Sequence, residues 1–251
     1  MEGLGGIKFE RQEFLDWNEM ELKHKIESLS NILTSYVKTN RSKLQYAGLD
    51  YIGANYWNAN IENIQPYSVP HWSLGLEHYD RRLRLFIQCE GTKLSGKIAQ
   101  MDKNTRELLV RALLNLEGDP HFQLRVEEKW FIMQKGSKGI KSIYPIYFTR
   151  SMGNCENEDI VRDIVNESLQ AINRINATSN RRRVKDIEYL EQYHSKTIVG
   201  VLQLSFSLNW FELENINDKV EDYLKVASMK MMDYYSVLSK YSYSDIVKQS
   251  D

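Results

Sequence analysis

The sequence predicts an α+β fold: a mostly antiparallel sheet built from two hairpins plus one long strand, covered by four or five helices, in a single domain spanning 1–251. Three observations carry this reading. Two stretches alternate apolar and polar residues on both sides of a turn. A third, Ile198 to Trp210, puts Ile198, Leu202, Leu204, Phe206, Leu208 and Trp210 on one face. Between them lie stretches whose apolar residues recur every three or four positions, the spacing of a helix with one buried face.

The elements follow in order. Residues 11 to 38 read as one helix, with Leu22, Ile26, Leu29, Leu33 and Val37 on a single side. Arg41 to Pro70 is rich in Tyr and Asn and is expected to hold one short strand, then a long connection closed by Pro66 and Pro70. Trp72, Leu74 and Leu76 alternate before the turn Tyr79-Asp80-Arg81, and Leu83, Leu85, Ile87 and Cys89 after it, which makes the first hairpin. Thr105 is placed to cap a helix carrying Leu108, Leu109, Ala112, Leu113 and Leu116, ended by Gly118 and Pro120. The second hairpin has Phe122, Leu124, Val126, Trp130 and Ile132 on one face of its first arm. Lys135-Gly136-Ser137-Lys138-Gly139 is its turn and Ser142 to Thr149 its return arm. Asn157 caps a strong helix, Arg183 to Tyr193 reads as a shorter one, and Glu214 to Lys240 is the last. In the long strand Leu202, Leu204, Phe206 and Leu208 share one face, and Gln203, Ser205, Ser207 and Asn209 the other. The polar face is expected to be wet or to receive something, so a charge at Ser205 should be tolerated and one at Leu204 should not.

Composition excludes several classes. The 33 basic and 34 acidic residues leave a net charge of -1, so no global field steers nucleic acid, although local patches remain open. Cys89 and Cys155 are isolated, which suits a reducing compartment rather than a disulfide framework. The first residues lack the apolar core of a signal peptide, and no apolar run is long enough to span a membrane. A soluble, cytoplasmic protein is expected.

Missing motifs narrow the chemistry further. The five histidines never approach the spacing of a helical zinc site, and no phosphate-cradling glycine motif occurs between a strand and a helix. Gly136-Ser137-Lys138-Gly139 lacks both the spacing and the setting of a nucleophile elbow.

Four features rise above this background. Glu127 and Lys129 stand two apart on a strand and leave the same face, as metal-dependent nucleases of the restriction-endonuclease type require. There a carboxylate holds the cation, an ammonium helps position the attacking water, and a further acid must converge. Asp119, Glu90 and Glu77 are the candidates. Glu128 interrupts an apolar face, so a bulge turns it outward, or the face opens into a polar pocket or supplies a buried arginine partner. Arg181, Arg182, Arg183 and Lys185, with Arg81, Arg82 and Arg84 on the first hairpin, form two basic clusters whose forks match phosphate geometry. Finally, Tyr46, Tyr51, Tyr56, Trp57, Tyr67 and Trp72 would suit either an adaptable contact loop or one packed on the sheet.

With no complete catalytic set, the expected function is a non-enzymatic binding or regulatory protein contacting nucleic acid or a protein partner, without a cofactor. The alternative is a nuclease with Glu127 and Lys129 catalytic, and Glu127, Asp119 and Glu90 holding Mg or Mn. The sequence carries no sign of oligomeric state.

Overall fold

The apolar spacings translate directly into elements in a computed structural model of the chain, which describes residues 6–37, 39, 41–46, 51–57, 68–78, 80–134, 140–143, 146–178, 193–216 and 219–243. The helix expected over 11–38 is two, α1 (Arg11–Asp16) and α2 (Glu19–Val37). They part at Trp17, whose φ of 44° is left-handed and cannot continue an α-helix. The Tyr-rich stretch holds two strands rather than one, β1 (Arg41–Tyr46) and β2 (Tyr51–Trp57), paired antiparallel.

The first hairpin is β3 (His71–Glu77) and β4 (Arg82–Cys89). A short helix, α3 (Thr92–Ala99), was not foreseen: it has eight residues and carries Gly96, a poor helix former. It precedes α4 (Lys103–Leu114), which is capped by Asp102 rather than Thr105. The Asp102 carboxylate accepts the Thr105 backbone N–H at 3.0 Å and its hydroxyl at 2.6 Å.

The second hairpin has one long arm, β5 (Phe122–Gln134), and a return arm split into β6 (Ile140–Ile143) and β7 (Ile146–Ser151). Its turn, 135–139, lies outside the described residues. Asn157 does cap the next helix, α5 (Glu158–Thr178), accepting the Ile160 N–H at 3.0 Å. The helix expected from Arg183 falls outside the described residues. The long strand is β8 (Tyr193–Asn209), followed by α6 (Trp210–Ile216) and α7 (Val220–Tyr243).

All eight strands form one sheet, in the order β1-β2-β3-β4-β8-β5-β6, with β7 also on β5. Every recorded pairing is antiparallel. Strand β8 is last in sequence and central in space, between β4 and β5. One face of the sheet presents Ile52, Trp72, Leu74, Leu85, Ile87, Leu124, Val126, Leu202, Leu204 and Phe206, all buried. The apolar stripes of α2, α4, α5 and α7 close over it, with Leu22, Ile26, Leu113, Val165, Ile172, Leu224 and Met231 in the same cluster. Each such side chain stabilises the fold by about 1.5–3 kcal/mol relative to exposure. Tyr56 and Trp72 of the aromatic stretch belong to this core, whereas Tyr67 lies outside the described residues. No described helix is long and apolar enough to cross a membrane.

Helix α5 comes unusually close to β8. At Gly200 a Cβ would lie 2.9 Å from Ile172 Cα, so only glycine permits this approach. The Gly200 N–H donates to Asn176 Oδ1 at 3.0 Å, and its carbonyl accepts the Ser95 hydroxyl at 2.6 Å.

Candidate functional site: a buried polar sheet face

Side chains on a strand alternate, so the residues between those of the core emerge on the opposite face. The register of β2, β3, β4, β8 and β5 lines up Asn55, His71, Ser73, Arg84, Gln88, Gln203, Ser205, Ser207, Arg125, Glu127 and Lys129 there. Each is buried, at 0–7% relative exposure, and Glu90, just past β4, is at 4%. The face expected to be wet or to receive something is therefore buried. A buried polar group costs free energy unless it finds a partner, which makes the pairing of these groups the central question.

Most are paired. The Arg84 guanidinium donates to the Glu77 carboxylate and to Gln203 Oε1, which brings β3, β4 and β8 together. Arg125 donates through Nε and Nη2 to Gln123 Oε1, at 3.1 and 2.7 Å. Lys129 Nζ donates to Glu90 Oε2 at 2.6 Å, and Glu90 Oε1 lies 3.7 Å from His71 Nε2. Gln88 Nε2 is 2.9 Å from His71 Nε2, and His71 Nδ1 is 3.2 Å from the Val69 carbonyl. The tautomer with the proton on Nδ1 satisfies both contacts. Ser73 donates to Asn55 Oδ1 at 2.7 Å. At the edge, the Tyr51 side chain lies across Gly53 and Gly75, where a Cβ would collide with its hydroxyl and ring. Burial pushes the Tyr51 phenol well above its usual range, and the charge of Glu77 adds to this.

Two groups stand apart. Glu127 is 5% exposed and makes no hydrogen bond or ion pair with the described residues. Burial raises its carboxyl above the ordinary value; the charges of Arg84 and Arg125 pull the other way, and Glu77 and Glu90 add to the rise. Arg84 Nε is buried without a hydrogen-bond partner among the described residues. Among the described residues Arg84 Nε is thus an unsatisfied buried donor, electrostatically coupled to Glu127. Burial also draws Arg125 downward, with the neighbouring Arg84 charge second.

Sequence reasoning found part of this site. Glu127 and Lys129 do share a face, and Glu90 joins them through Lys129. Asp119 does not: it precedes β5, where it meets Lys230 at 3.0 Å and His121 at 3.1 Å. Phe122 to Glu127 alone is about 16 Å of strand, at about 3.3 Å per residue. Among the described residues no group of three or more His, Cys, Asp or Glu could hold a metal ion. Glu128 is not turned outward. It stays 5% exposed, opposite Gly200, while the register shift in β5 falls between Val126 and Glu127 on the β7 side.

The first arginine cluster is dispersed by the hairpin. Arg81 is exposed at the turn with φ 47°, Arg82 is half-buried, and Arg84 is buried in the polar face. Arg181, Arg182, Arg183 and Lys185 lie outside the described residues. The missed members are His71, Gln88 and Arg125, while Gln203 had been expected on the polar face of the long strand. Their signal was present as polar alternation along Gln123, Arg125, Glu127 and Lys129 and along Gln203, Ser205 and Ser207. Compared with known proteins, the chain matches no family model, no curated protein and no solved structure.

Proposed function

We propose that the chain is a non-enzymatic binding protein, working in the cytoplasm, whose polar sheet face receives a polar group from its partner. The observation that supports this reading is Glu127, a buried carboxylate with no hydrogen bond to the described residues, coupled by charge to Arg84 with its unsatisfied Nε. Leaving the Arg84 donor unpaired costs about 1–3 kcal/mol, and a partner bringing an acceptor to Arg84 and a donor to Glu127 would engage both. The surrounding groups are too buried for a flat surface to reach them, so the received unit is a single inserted group, such as one base with its phosphate or one side chain. Arginine forks favour nucleic acid over protein as its source. The free thiols of Cys89 and Cys155 fit a reducing compartment.

Fluorescence anisotropy with labelled single- and double-stranded DNA and RNA tests this. Binding at low salt is expected to weaken in Glu127→Gln and in Arg125→Gln. Replacing Arg181, Arg182 and Arg183 with Gln should flatten the salt dependence by up to about three phosphate contacts. No affinity for any oligonucleotide removes nucleic acid and leaves a protein partner. Binding untouched by both face variants removes the face.

A second reading is supported by one specific contact, Lys129 on Glu90 beside Glu127. In it the chain is a metal-dependent nuclease: Glu127 and Glu90 hold Mg or Mn, and Lys129 positions the attacking water. Manganese-dependent plasmid cleavage abolished by Glu127→Ala, with calorimetric manganese binding lost in Glu127→Gln, would establish it. A flat manganese titration of the intact protein would end it.

A further inference from the structure

Across the sheet from Glu127, the N-terminal half of α7 stands off the start of β5 and leaves an open cavity of about 240 Å³. Its floor is aromatic. The Phe122 and Phe206 rings lie 5.2 Å apart, and His121 extends the surface with its ring 5.8 Å from Phe206. The opposite wall is Tyr223, Val226 and Ala227 of α7. Tyr223 and Val226 are 41% and 52% exposed, unusual for large apolar residues beside an aromatic floor.

The rim decides the charge of what fits. Lys230 is neutralised by Asp119 at 3.0 Å, and His121 is held between Asp119 at 3.1 Å and Glu212 at 3.2 Å. Asp222 makes no hydrogen bond or ion pair with the described residues and lines the cavity. The uncompensated charge at the mouth is therefore negative. The Phe122 ring already carries a cation of the chain, with Lys230 Nζ 5.5 Å from its centroid, which leaves Asp222 as the charge open to a ligand. Size limits the body of the ligand. Sites for drug-sized molecules run to about 300–1,000 Å³, so this cavity takes a single ring with a short chain.

We propose that this cavity is a binding site for a small arylalkylammonium ion. The ring lies between Phe206 and Val226 and the ammonium faces Asp222. The site is independent of the polar face, and its test does not depend on that reading.

The test uses the intact chain and three probes of similar size: 2-phenylethylamine (cationic), 2-phenylethanol (neutral) and 3-phenylpropionate (anionic). Titrations followed by NMR should move the Val226 and Ala227 methyl signals. The amine should bind up to about fivefold more tightly than the alcohol, as an exposed ion pair allows, and the acid most weakly. Asp222→Asn should abolish the preference for the amine and leave alcohol binding intact. Val226→Trp, at a half-exposed position, should fill the mouth and remove binding of all three, with a melting curve confirming the fold. Should that variant unfold, the wild-type methyl shifts decide alone. Absence of amine binding at millimolar concentration overturns the proposal. So does acid binding as tight as amine binding, or shifts confined to other residues.

Discussion

Glu127 illustrates how one side chain links the fold to pH. Its carboxyl titrates above the ordinary 4.5 because burial penalises the charged form more than Arg84 and Arg125 relieve it. The folded state therefore holds this proton more tightly than the unfolded chain. Stability from this group falls as pH rises from about 4.5 to the raised folded value, and stays low above it. Glu127→Gln is accordingly expected to stabilise the protein at pH 7, because it removes the charge that burial penalises. Near pH 4 both residues are neutral and the gain should vanish. Thermal melts of both proteins at the two pH values check this, at about 2–4 °C per kcal/mol for a chain of this size. A stabilising loss of charge at a conspicuous residue is the usual mark of a group kept for binding or chemistry rather than for the fold.

Among the elements, β8 separates what alternation reveals from what it conceals. The period of two identified Leu202, Leu204, Phe206 and Leu208 as a core face, and all are buried. It did not say that Ser205, at 0% exposure, would be buried as well. The expectation that Ser205→Asp is tolerated is thus revised: Leu204→Asp and Ser205→Asp should both cost several kcal/mol, while Ser205→Ala should be mild. Soluble yield and urea midpoints of the three variants measure it. Gly200→Ala is a companion case. It should destabilise by about 1–3 kcal/mol by forcing Ile172 of α5 away from the strand. The long amphipathic helices α5 and α7 were legible because each buries one face and exposes the other, and the hairpin β3–β4 because its apolar residues alternate on both sides of a turn. Strands β1 and β2 were half-hidden by Tyr and Asn, α3 by Gly96 and its brevity, and the end of α1 by the backbone of Trp17. The candidate site was legible in pieces: Glu127 and Lys129 as a pair, Glu90 and Glu77 as candidate acids, Arg84 in a basic cluster and Gln203 on the polar face of the long strand. That Arg84, Glu90 and Gln203 share one face with the pair is set by the strand order, which no local spacing encodes.

For the molecule as a whole, the single sheet and its continuous apolar cluster imply that the two hairpins and the helices above them lose structure together. Far-ultraviolet dichroism and tryptophan fluorescence should report coincident thermal transitions, with no separate melting of the half before α4. Two displaced transitions would instead indicate that the chain divides into independently folding units. The central position of β8 has a further consequence, in time rather than space. A ribosome releases the chain at about 5–20 residues per second, so β4 and β5 are both made well before the strand that must lie between them. Until Tyr193–Asn209 emerges, each presents a bare hydrogen-bonding edge flanked by aliphatic side chains, a template for pairing with another chain. Nascent chains stalled before residue 193 should therefore depend on chaperones, whereas chains released past Asn209 should not.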